Sequence, residues 1–140
     1  MTDCGNVKNL LLSGDYTCVL SNGEDTVTSR EKGVRPLIEF IESGKDFAGY
    51  SAADKIVGKA AALLYAYMKV SELYAEVASR TAVEVCAKYG ITLSYGTLTE
   101  KIINRRGDDI CPMEKTVADI SDPPGAYQAV KTKLAALQKT

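Results

Sequence analysis

The run Ala52-Ala53-Asp54-Lys55-Ile56-Val57-Gly58-Lys59-Ala60-Ala61-Ala62-Leu63-Leu64 holds the residues best spaced for chemistry. Its apolar character predicts a buried helix over roughly Lys55–Met68, with Asp54 as N-cap. Lys55 and Lys59, four apart, would then share one face at the helix start, against each other and against the positive end of the macrodipole. The pair alone costs about 0.2–0.5 kcal/mol, and the dipole adds a similar amount. Either carboxylates from elsewhere compensate the lysines, or the site receives an anion or uses a lysine of depressed pKa. Gly58 would let a ligand or backbone approach closely, and Asp54 could cap, pair with a lysine or act as a base. The plain alternative is two lysines snorkelling to solvent beside a cap.

A second group lies in Asn104-Arg105-Arg106-Gly107-Asp108-Asp109-Ile110-Cys111-Pro112-Met113-Glu114-Lys115. Pro112 suits the first position of a helix, which makes Cys111 its N-cap. Thiolates are stabilised at helix N-termini and beside arginine, so Cys111 is the best candidate for a reactive cysteine. A simple turn into a helix, with Glu114 bonding back to its start, explains the same residues. Cys18 and Cys86 fall in strand and helix patterns and are expected in the core.

The chain has 140 residues, 46% of them hydrophobic and 25% charged, with formal net charge −1. That suits one domain over residues 1–140, with a core that needs neither disulfide nor structural metal. Lysines and arginines alternate with acids, so no basic stripe for duplex nucleic acid is present. No charged leader precedes an apolar core at the N-terminus, and the apolar run Ala60–Met68 is too short for a bilayer. The four cysteines form no CxxC pair, which fits reduced thiols in a cytoplasmic protein. There is no histidine. Ser-His-Asp and Cys-His systems and His-ligated zinc are thereby excluded, leaving acid-base work to Asp, Glu, Lys, Tyr or Cys.

The elements expected around these groups begin with a helical pattern over Val7–Leu12. Two strands, Tyr16–Leu20 and Thr26–Ser29, flank Asn22-Gly23 as a hairpin. A helix follows from Pro36 to Glu42, closed by Gly44. Phe47–Ala52 suggests a short buried strand leading into the lysine helix. Then come a strand at Leu73–Val77, a helix at Thr81–Lys88 stopped by Gly90, and a strand at Ile91–Tyr95. Alternating strands and helices predict parallel strands covered on both faces. A short helix near Leu98–Ile103, one starting at Pro112 and one from about Pro124 to Gln138 complete the chain.

The segments Ala53-Asp54-Lys55-Ile56-Val57-Gly58-Lys59-Ala60-Ala61-Ala62, Cys111-Pro112-Met113-Glu114-Lys115 and Ile102-Ile103-Asn104-Arg105 resemble the bacterial family called domain of unknown function 1893. The likeness covers almost the whole chain. It implies an α/β cytidine-deaminase-like fold, a three-layer α/β/α sandwich around a mixed five-stranded sheet, and no assigned activity. Zinc deaminases open the helix after the third strand with H-x-E or C-x-E and the next with P-C-x-x-C. Aligned positions here hold Ala53-Asp54-Lys55 and Ala78-Ser79-Arg80-Thr81, which supply no zinc ligands, so no cofactor is expected.

Three functional readings follow. In the first, a zinc-free pocket binds a small anionic, nucleotide-like or phosphorylated metabolite. Lys55, Gly58, Lys59, Asn104 and Arg105 would contact it, and Asp54, Lys55, Cys111 and Glu114 would supply any chemistry. In the second, the domain is a catalytically inert binding or oligomerisation module, a homodimer being an assembly the resemblance implies, with the same charged residues as a structural network. The third is redox or sulfur chemistry at Cys111.

Overall fold

The computed structural model describes residues 3–31, 33–103, 107 and 109–138. Helix α1 (Asp3–Ser13) precedes a hairpin of β1 (Cys18–Ser21) and β2 (Thr26–Ser29). Gly23, at φ 96°, lies in its loop, where Asn22 Oδ1 accepts from the Glu24 and Asp25 N–H groups. The turn is therefore longer than the two-residue link that Asn-Gly suggests. Helix α2 (Arg35–Glu42) is followed by β3 (Ser51–Val57), α3 (Lys59–Met68), β4 (Glu72–Ser79), α4 (Arg80–Lys88) and β5 (Thr92–Thr99). Helices α5 (Pro112–Thr116) and α6 (Pro123–Gln138) end the chain.

The sheet runs β2-β1-β3-β4-β5, with β1 antiparallel to both neighbours and β3, β4 and β5 parallel. Alternating side chains divide its two faces. Val19, Ala53 and Tyr74 pack with Val7 and Leu11 of α1. Leu20, Ala52 and Leu73 join the larger core, which draws on α2, α3, α4, α5 and α6. Alternation slips once in the middle of the sheet, because Ala75 and Ala78, three apart, both enter the larger core. Strand β3 slips alongside: Asp54 bonds to α3, and Val57 also joins that core.

Several expected boundaries move. Asp54 and Lys55 belong to β3, and the helix begins at Lys59, so the two lysines do not share a helical face and Asp54 is no N-cap. Residues 47–50 form a turn, which puts the strand later than Phe47–Ala52. Residues 98 and 99 continue β5, and residues 100–103 are not helical, so the helix expected near Leu98–Ile103 is absent. β5 is open to solvent, with six of its eight residues exposed, against the expectation of cover on both faces.

Candidate functional site

Helix α3 begins without a cap of its own. Gly58, the N-cap, is extended and has no side chain to accept from the first amides. Glu114, on α5, takes that role from 55 positions further along the chain: its Oε1 accepts from the Lys59 N–H and its Oε2 from the Ala60 N–H, both at 2.8 Å. A carboxylate meets the positive end of the helix, so hydrogen bonding and dipole act together. A Cβ on Gly58 would lie 2.2 Å from Glu114 Oε1 and 2.8 Å from Ile102 Cγ1. Glycine here makes room for the incoming carboxylate.

The segment carrying Glu114 is itself anchored. The Cys111 N–H bonds to the Ile102 carbonyl at 2.9 Å, and Ile103 bridges Ile110. Pro112 opens α5 with Cys111 as N-cap, as the sequence suggests, and Met113 is buried beneath it. The Lys59 ammonium donates to the Ala118 carbonyl at 3.0 Å, just past the end of α5. Lys59 thus holds both ends of this segment, one through its backbone and one through its side chain. The Cys111 thiol is half-buried and makes no cap bond.

A second polar group lies under the sheet. The Tyr65 hydroxyl of α3 donates to Asp54 Oδ2 at 2.7 Å, and Cys18 Sγ stands 3.1 Å from the same hydroxyl. With the Tyr65 hydrogen committed to Asp54, the Cys18 S–H is left to donate to the phenol oxygen. All three side chains are buried. Burial pushes the Asp54 carboxyl up to about 7, although Tyr65 and the Ile56 and Lys55 amides hydrogen-bond to it and pull the other way. Burial, with Asp54 adding to it, raises the Cys18 thiol well above its ordinary range, and Tyr65 rises for the same reasons. Burial alone raises Cys86 to about 11. Neither thiol is poised as a nucleophile.

Gly58, Lys59 and Glu114 therefore meet, with Cys111 anchoring their segment. Asp54 bonds elsewhere, to Tyr65. Lys55 is half-exposed and pairs with Glu76 at 3.7 Å, so it shares no described partner with Lys59. Asn104 and Arg105 lie outside the described residues. Two open surface clefts, one along α6 and one between α1 and the hairpin, are lined by none of these side chains. Among the described residues, no group of three His, Cys, Asp or Glu side chains could hold a metal, and no helix is long and apolar enough to cross a membrane. Tyr65 and Cys18 were missed as partners of Asp54. The available signal was Tyr65 itself, one of two phenols in a run of alanines and leucines, since a buried tyrosine hydroxyl requires a hydrogen-bond partner.

These features define an α/β protein with, among the described residues, a mixed, open five-stranded sheet and six helices. The chain belongs to the DUF1893 family, a domain of unknown function, whose model matches residues 6–134. It is similar to the crystal structure of a DUF1893 family protein from Thermotoga maritima, at 28% identity and a TM-score of 0.82. That match covers 92% of this chain and 87% of the other. No curated protein matches the chain.

Proposed function

We propose that this chain is a binding and assembly domain of cytidine-deaminase-like fold that performs no deamination. One observation carries the reading: Glu114 of the same chain occupies the start of the helix after the third strand, where a deaminase presents a zinc ligand and its catalytic glutamate. The order of helix, hairpin and alternating strands and helices supports the deaminase-like comparison. The donor chemistry does not fit zinc. The α3 start offers Gly58-Lys59-Ala60, with an ammonium beside it, and the α4 start offers Ser79-Arg80-Thr81, where Ser79 Oγ is already committed to the Ala82 N–H at 3.1 Å. No thiolate or imidazole stands at either helix start.

Incubation with cytidine, adenosine and guanine in the presence of Zn²⁺ tests this. The expected result is no ammonia above the protein-free blank. Sustained release by wild type, lost in Glu114→Gln, would overturn it.

A second reading rests on the same contact. Two amides that hold a carboxylate at 2.8 Å can also hold a phosphate oxygen. A small anionic metabolite would then bind by displacing Glu114, with Lys59 alongside. Phosphate and nucleotide titrations should raise the melting temperature of Glu114→Ala more than that of wild type; equal, null responses in both would remove this reading.

A further inference from the structure

The two edges of the sheet differ. β2 is four residues long and flanked by Asp25 and Arg30, whereas β5 spans eight residues, about 27 Å at a strand's rise. Among the described residues no further strand pairs with the outer side of β5. Thr92-Leu93-Ser94-Tyr95-Gly96-Thr97-Leu98-Thr99 contains no charge and no proline. Tyr95 is 43% exposed and Leu98 38%. Folded proteins usually guard a long edge with lysine, proline, a bulge or a covering segment, because unpaired N–H and C=O groups otherwise recruit another strand. Within β5 neither lysine nor proline is present.

We infer that β5 pairs antiparallel with β5 of a second copy, about a two-fold axis at Tyr95, joining two five-stranded sheets into one of ten. This rests on the assembly role proposed above and gives it a surface. A two-fold contact sets the strand against its own reverse, so its residues must tolerate one another. Here Tyr95 meets its copy, Ser94 faces Gly96, Leu93 faces Thr97 and Thr92 faces Leu98. Like charges opposite one another would destabilise such pairs, and a strand that is neutral throughout brings none together. The paired tyrosines add aromatic contact at the axis. Full pairing supplies about eight interchain backbone hydrogen bonds. A charged foreign strand would gain the same backbone bonds but no partner for its charges along this edge.

Light scattering coupled to gel filtration, over a dilution series, tests the contact. Wild type is expected at twice the 15.1 kDa chain mass. Tyr95→Lys, which puts two ammonium groups face to face, is expected at the mass of one chain with an unchanged far-ultraviolet spectrum. Tyr95→Cys supplies a positive signal: opposite Cβ atoms about 4.5–5.5 Å apart lie close to disulfide range, so mild oxidation should give a crosslinked dimer that wild type does not form. A monomeric wild type at every concentration, a Tyr95→Lys protein that remains dimeric, or a Tyr95→Cys protein that fails to crosslink would each overturn the proposal. The ammonia assay decides separately whether the domain is catalytic, so failure of either idea is recognisable by itself.

Discussion

At the residue scale, Asp54 makes folding sensitive to pH. Its carboxyl keeps a proton up to about pH 7 in the folded chain, whereas in the unfolded chain it ionises near its ordinary value of 3.8. Between those values the unfolded state binds fewer protons, so stability falls as pH rises from about 4 to about 7 and stays lower above that. Asp54→Asn keeps an acceptor for Tyr65 and removes the ionisation. It should be more stable than wild type at pH 8 by roughly 2–4 kcal/mol, with the gap closing near pH 4. Urea denaturation at the two pH values checks this, and a pH-independent difference would refute it. Glu114→Ala should cost about 2 kcal/mol, because two helix amides lose a charged acceptor. Gly58→Ala should destabilise wild type and cost less in the Glu114→Ala background, since part of its clash is with that carboxylate. Additive losses in a double-mutant cycle would mean that Gly58 serves Ile102 alone.

At the scale of elements, the parts governed by local signals were legible. Pro36 and Gly44 bracket α2, Gly90 follows α4, and Asn22-Gly23 marks the hairpin, because each acts through its own backbone. The start of α3 was not legible. A carboxylate, a lysine and a run of alanines resemble a capped helix, yet Asp54 and Lys55 sit in a buried strand whose alternation slips by one residue. The contact that replaces a local cap comes from Glu114, and no pattern local to Gly58 announces it. The helix expected near Leu98–Ile103 gives way to strand at residues 98 and 99, because pairing with Ala78 and Ser79 carries β5 onward. The other end of α3 offers a direct test. Lys69 closes it in the left-handed region at φ 63°, the one non-glycine among the described residues to do so. Lys69→Gly should stabilise the protein by about 0.5–1 kcal/mol, measured by thermal unfolding, and a loss would mean that the lysine side chain makes a compensating contact.

At the scale of the whole molecule, amide hydrogen exchange should divide the sheet. β1, β3 and β4, paired on both sides, should be the slowest strands, and protection in β5 should rise with protein concentration as copies pair. Protection in β5 that is independent of concentration would count against the paired edge. The long reach of Glu114 also has a consequence for biosynthesis. During synthesis the strands of the parallel unit and helices α3 and α4 are all polymerised before residue 114 is added, so α3 must wait with its leading amides open. A nascent chain stalled at the end of β5 would hold the sheet's residues yet lack the group that completes its central helix. The last third of the sequence therefore acts as a latch, and its arrival, rather than the assembly of the strands, would mark the moment at which a newly made chain becomes resistant to proteolysis.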